Sequence, residues 1–171
     1  MIGTFRVRAA VFCAIFLFLF AGVASAQCVV QAYFSPYDDV ESVVVKRLSD
    51  GQHTIHCSLY GITNVKITNT LKTLLNQGVE VKLCLDKTQS AGKHDTHQQL
   101  ADAGADVVIK KTGVLEHNKF CVIDGNVAMM GSWNYSNNAQ KQDNSMIVLS
   151  GCDEIVKQFE AAFQRIHERD R

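Results

Sequence analysis

Proline is almost absent from this chain: Pro36 stands alone among 171 residues, and no low-complexity tract interrupts the rest. That excludes a polyproline spacer or a flexible linker, and with them a division into tethered modules. Neither sign of charge is in excess, with 17 Lys and Arg against 17 Asp and Glu. A strongly cationic nucleic-acid footprint is therefore missing from the net charge. Zinc-type spacing is missing as well, because no CxxC or Cys/His spacing resembles a zinc site. The carboxylate cluster of a two-metal nuclease likewise has no counterpart.

Apolar residues, by contrast, crowd the start of the chain. Arg6 and Arg8 form a basic n-region, Ala9 to Val23 an apolar h-region, and Ala24-Ser25-Ala26 a small-residue cleavage site. This pattern is that of a secretory signal peptide over residues 1–26. The apolar run is short for a membrane span of roughly 20 residues, so an uncleaved anchor is the lesser alternative. Residues 27–171 are expected to form a single exported domain, periplasmic or secreted. Removing Arg6 and Arg8 leaves 15 basic against 17 acidic residues, a slightly acidic balance.

Five cysteines remain after residue 26: Cys28, Cys57, Cys84, Cys121 and Cys152. Export permits disulfides, but an odd number leaves at least one thiol over. Cys57, Cys84 and Cys121 lie in apolar strand-like runs and read as small buried hydrophobes. Cys28 and Cys152 flank the domain, where a bridge could form.

Strand and helix patterns alternate throughout, which predicts an α/β domain. Strands are expected at Val29–Ser35, Thr54–Tyr60, Val79–Leu85, Asp106–Lys110 and Ser145–Leu149. Helices are expected around Val40–Leu48, Asn64–Asn76 and Lys93–Ala103. A last helix, capped by Asp153, carries a core stripe of Ile155, Val156, Phe159, Ala162, Phe163 and Ile166. Asp86 to Ser90 reads as a polar loop at a strand end, a position that often binds ligands in α/β folds.

The segment from Leu115 to Asn134 is the richest in chemistry. His117 and Lys119 are two apart, as are Ser132 and Asn134, and on a strand each pair would share a face. Asp124-Gly125-Asn126 between the two apolar runs is a hairpin signal. Two paired strands could thus aim an imidazole, an ammonium, a hydroxyl and an amide at one point, a set suited to an anionic phosphodiester. An ordinary hairpin would have to bury that lysine without an anion, which is costly.

His-x-Lys, four residues, Asp, six residues, then Gly-Ser-x-Asn is the signature of the phospholipase D superfamily. His117, Lys119, Asp124, Gly131, Ser132 and Asn134 fill every fixed position. Six such matches would coincide by chance in a chain of this length roughly once in a few hundred thousand. Weaker likeness extends to the early Ala-Tyr-Phe-Ser-Pro segment and the Leu-Asp-Lys-Thr-Gln-Ser loop.

The resemblance implies a mixed β-sheet flanked by helices on both faces. It also implies a metal-independent phosphodiesterase that needs no cofactor and works through a covalent phosphohistidine. His117 would be the nucleophile. Lys119, Ser132 and Asn134 would bind the phosphate. Asp124 belongs to the catalytic signature, although strand parity puts it opposite His117. No second copy of the motif occurs in this sequence, and relatives with one motif per chain complete the site as homodimers. The acid/base would then be His117 of the partner subunit; within one chain His56 or His94 would have to serve.

In relatives an acid about ten residues beyond the Gly-Ser-x-Asn orients the histidine. That position falls at or near Ser145 here, with Asp143 the nearest carboxylate. Nucleic acid, cut by a non-specific endonuclease, is the leading substrate and a phospholipid head group the alternative. Lys110-Lys111 with Lys119, or Lys87 with Lys93, could line a groove. His94 and His97 are three apart on the expected helix and could in principle share a metal, but exposed helix histidines are far commoner. Trp133 and Tyr135 are placed either to stack on a ligand or to pack in the core.

Overall fold

The structure, a computed structural model, describes residues 27–111 and 113–171. The expected signal peptide lies outside the described residues. Seven strands form: β1 (Val29–Ser35), β2 (Thr54–Leu59), β3 (Glu80–Leu85), β4 (Asp106–Ile109), β5 (Lys119–Ile123), β6 (Val127–Gly131) and β7 (Asn144–Ser150). They pair in the order β1-β7-β6-β5-β2-β3-β4. β2, β3 and β4 run parallel, while β5 is antiparallel to both β2 and β6. The sheet is therefore mixed, with its change of direction at the β2–β5 seam.

Helices cover both faces, which establishes the α/β class. On one face α1 (Val40–Ser49), α2 (Val65–Asn76) and α4 (His97–Asp102) bury Val44, Leu48, Ile67, Leu71 and Leu100 against Ile55, Leu83 and Met129. On the other, α5 (Asp153–Asp170) alone seats Val156 and Phe163 on Phe120, Val122 and Leu149. Helix periodicity explains this placement, since the apolar residues of each helix recur on one side.

Four local features depart from the sequence pattern, each for a physical reason. Asp86 accepts from the Thr88 and Gln89 amides, which winds Lys87–Ser90 into a single helical turn, α3. α4 begins only at His97, because Thr96 is non-helical and its hydroxyl binds the Ile62 carbonyl and the Thr68 hydroxyl. Asp153 is the first residue of α5 and not its cap; Cys152 holds the cap position with its sulfur committed to a disulfide. Ile155 turns outward, 44% exposed, and leaves the core stripe.

Cys28 and Cys152 are disulfide-bonded and join the two ends of the domain. A second disulfide links Cys57 and Cys121, against the expectation that both are plain buried hydrophobes. The strand register decides this, for the two residues are directly opposed in the β2–β5 ladder. Cys84 is free and buried, and burial, helped by the nearby carboxylates of Glu116, Asp170 and Asp106, pushes its thiol up to about 12.

The Cys57–Cys121 bridge closes a sequence separation of 64 residues. Loop-closure entropy for such a span is about 4 kcal/mol. Cys57→Ala/Cys121→Ala should lower the unfolding free energy by about 3–4 kcal/mol in urea titrations while the native circular dichroism is kept.

Candidate active site

Lys119 opens β5 opposite Leu59, the last residue of β2. One step further on, the Tyr60 amide donates to the Asn118 carbonyl at 2.8 Å, extending the pairing past the strand ends. His117 precedes β5 and is exposed, while Ser132 and Asn134 follow the last residue of β6. Since β5 and β6 are antiparallel, these two short segments meet at the same end of the strands. Strand parity thus reaches only as far as Lys119 and Gly131. The reactive groups sit just beyond, on backbone that the ladder holds but does not contain.

Gly131 is required by close approach. A Cβ there would lie 2.1 Å from the Ser145 carbonyl oxygen, so any side chain would force β6 and β7 apart. The Ser132 and Trp133 amides both donate to that carbonyl, at 3.0 and 3.2 Å. The Ser132 hydroxyl donates to Asn144 Oδ1 and accepts from the Ser145 amide. In this arrangement Ser132 fastens the end of β6 to the start of β7. Trp133 and Tyr135 are core residues, 0% and 1% exposed, with their rings edge to face. Between them Asn134 is half-buried, and its Oδ1 is buried without a donor among the described residues.

Two buried lysines differ in what surrounds them. Lys110 faces two carboxylates, Asp170 at 3.3 Å and Glu116 at 3.8 Å. It is therefore a structural ion-pair residue and does not line an open groove. Lys119 has no carboxylate within ion-pairing distance among the described residues. Its ammonium donates to the His117 carbonyl at 2.8 Å and lies 5.2 Å from the centre of the Tyr60 ring. Burial pulls Lys119 below the usual lysine range, and the field of Glu116 opposes that shift. Keeping a buried cation charged with so little compensation is costly.

Tyr60 escaped the sequence reading. Its ring meets the His117 imidazole edge to face at 4.9 Å, and its hydroxyl accepts from Gln89. Only the pairing of β2 with the motif strand brings it here; no spacing within the motif could announce it. Glu116 is a second such residue. It accepts from both the amide and the side chain of Asn118, and its own amide donates to Asp86, so the turn carrying His117 is held from behind.

Several expected partners lie elsewhere. Neither Asp143 nor Ser145 bonds to His117 within the chain. Asp143 is exposed on the rim of a recess of about 340 Å³ shared with Phe34, Tyr37 and Ser132. His56 is on the α5 face, stacked on Phe163 and bonded to Glu160 and Glu80. Burial lowers its proton affinity, but these two carboxylates offset that and the net direction is upward. It cannot serve as the acid for His117. His94 precedes α4 and is exposed, and His97 pairs with Asp95, so one helix does not hold both histidines. Lys87 and Lys93 are exposed.

The family model for the cardiolipin synthase, PLD-like domain matches residues 44–167. The chain belongs to the phospholipase D superfamily. A phospholipase D of Rickettsia typhi is 26% identical over 130 residues, covering 76% of this chain and 64% of that protein. A mitochondrial cardiolipin hydrolase of Chlamydomonas reinhardtii is 26% identical over 119 residues, 70% of this chain and 53% of its own length. The chain spans less than two thirds of these curated relatives. Among solved structures, the phospholipase D family member Nuc from Salmonella typhimurium superposes with a TM-score of 0.79 at 20% identity, covering 85% of this chain and 97% of Nuc. NucT from Helicobacter pylori gives 0.76 at 18%, covering 83% and 97%. These likenesses show a phospholipase D fold.

Within the superfamily signature Asp124 stands apart. It sits at the other end of β5, where Asp124 and Gly125 both take positive φ, 50° and 64°, in the tight hairpin turn. Its carboxylate accepts from the amides of Gln52, His53 and Thr54 at 2.8, 2.8 and 2.9 Å. Desolvation alone would raise the carboxyl, but those amides outweigh it and hold it below the usual range. A carboxyl lowered in the folded state stabilises above its unfolded value of about 3.9 and loses that contribution as pH falls through the folded one. Asp124→Ala should therefore cost about 2–3 kcal/mol at neutral pH, a cost that shrinks in acid, with activity per folded molecule retained. Loss of turnover without loss of stability in urea titrations would return Asp124 to the chemistry.

Proposed function

We propose that the chain is a metal-independent phosphodiesterase whose nucleophile is His117. The observation that carries this reading is the buried Lys119 ammonium, lacking a carboxylate partner, beside an exposed imidazole. A phosphodiester supplies the missing anion, with Lys119 and Asn134 donating to its non-bridging oxygens. The imidazole nitrogen attacks phosphorus, the bond to the leaving oxygen breaks, and a second imidazole gives that oxygen its proton. Water, deprotonated by the same second group, then cleaves the phosphohistidine and restores His117.

The second imidazole in this scheme is His117 of the partner subunit in a twofold dimer. Support comes from the side of the site, where Phe34 (54% exposed), Tyr37 (88%) and Ile147 (36%) leave apolar surface open near Ser132 and Asp143. Closing a dimer there would also let Asp143 or Ser145 approach a histidine that neither touches within one chain. Export to the periplasm or medium is part of the proposal, and two disulfides support an oxidising compartment.

Nucleic acid is the leading substrate, cut as by a non-specific endonuclease. Phospholipid is the second reading, favoured by the relatives named phospholipase D and mitochondrial cardiolipin hydrolase.

Incubating the purified protein with plasmid DNA and with phosphatidylcholine vesicles, each in chelator, tests reaction and substrate together. Turnover should survive chelation, and a strict divalent-cation requirement would contradict the scheme. His117→Ala and His117→Asn should abolish activity with the fold intact, and turnover above a few per cent of wild type would remove His117 from its role. Lys119→Ala should lose roughly 100-fold, as expected for an oxyanion donor. Excess His117→Ala chains, reassociated with active protein, should suppress its activity, and sedimentation should report a dimer; a fully active monomer would refute the shared site.

A further inference from the structure

Beside the motif lies a cleft of about 230 Å³ that the chemistry above does not use. Tyr60 and Asn134 form the wall it shares with the candidate active site, and Gly61, Thr63, Gln89, Ser136, Asn138 and Gln142 line the rest. Its volume falls below the roughly 300 Å³ at which whole small-molecule sites begin, so it suits one ring or small group of a larger ligand. No Lys, Arg, Asp or Glu lines it. Among the described residues, the side chains of Thr63, Ser136, Asn138 and Gln142 have no hydrogen-bond partner, so their donors and acceptors are available.

The walls are also fixed in place. The Thr63 and Asn64 amides donate to the Tyr135 carbonyl, and Asn137 Nδ2 donates to the Thr63 carbonyl at 2.8 Å. Ser35 Oγ donates to the Gln142 carbonyl at 2.7 Å, which pins the far end of the loop. The amide-bearing loop and the loop after β2 therefore present a preformed surface.

We propose that this cleft is a nucleobase subsite, placed so that the base of a nucleotide enters it while the adjoining phosphodiester lies against His117 and Lys119. The inference rests on the phosphodiesterase reading and narrows its substrate to nucleic acid. Primary amides match the mixed donor and acceptor edge of a base, which a phosphate, all acceptor, does not need. The Tyr60 ring offers an aromatic neighbour of the kind bases stack against. A cationic head group is disfavoured on two counts: no carboxylate lines the cleft, and the Lys119 ammonium already lies against Tyr60.

Steady-state kinetics of the full chain on two diesters with the same leaving group separates the subsite from the chemistry. Methyl 4-nitrophenyl phosphate carries neither a base nor a second ring, and thymidine 5′-(4-nitrophenyl phosphate) carries a base. Asn138→Ala/Gln142→Ala should lose roughly tenfold in kcat/KM on the thymidine ester and stay within about twofold on the base-free ester. Equal losses on both esters, or none on either, overturn the proposal. So does a loss confined to phosphatidylglycerol vesicles, which would assign the cleft to a lipid head group. If the unaltered chain turns over neither ester, the phosphodiesterase reading fails by itself. Calorimetric binding of thymidine 5′-monophosphate still decides the subsite then: it should weaken roughly tenfold in the double variant, and unchanged affinity overturns it.

Discussion

The pairing of β2 with β5 is the constraint on which the rest depends. β2 runs parallel to β3 on one side and antiparallel to β5 on the other, so this seam turns a run of βα units into a hairpin sheet. It is fastened three times along its length. At one end the Asp124 carboxylate gathers three amides of the segment entering β2; in the middle Cys57 is bonded to Cys121; at the other end Tyr60 binds Asn118. The free end beyond the last fastening is where His117 stands. As the proposed nucleophile His117 needs exposure, and its neighbours need rigidity. Placing the histidine one residue past a triply secured ladder meets both demands.

The motif residues fall into two groups by what they hold. His117, Lys119 and Asn134 present polar atoms at one end of the strands. Gly131, Ser132 and Asp124 bring strands together, through a close backbone approach, a hydroxyl bridge and a carboxylate clamp. A short signature thus encodes both the reacting groups and the joints that align them. The contrast between Lys110 and Lys119 makes the same division in lysines, one neutralised by carboxylates within the chain and one without a carboxylate partner among the described residues.

Much of this was legible in the sequence because periodicity and turn chemistry are local. β1 is found at the expected residues, the other strands and α1 and α2 within a residue or two, and the Asp-Gly-Asn hairpin where its signal stood. Nonlocal facts were not legible. Cys57 and Cys121 each read as small apolar residues, and only the register makes them partners. Tyr60 belongs to the site through a strand pairing that its own neighbours do not reveal. The shortened α4 reflects Thr96 spending its hydroxyl on another loop, a tertiary bond that overrides helical pattern. Ile155 and Asp153 show the limits of assigning a helix face and cap before the helix is seen against its sheet.

The one free cysteine among the described residues carries a consequence for how such a chain is made. Two disulfides must form in the presence of a third party, Cys84, whose sulfur is as reactive as any other while the polypeptide is extended. Once β3 is seated, that thiol is buried and its proton is held up to about 12, so the thiolate needed for exchange is essentially absent at neutral pH. Mispairing is thus a hazard of biosynthesis alone. Among the described residues no nucleophilic sulfur is then left to unpick the bridges, and their connectivity is locked in by the same burial that builds the core.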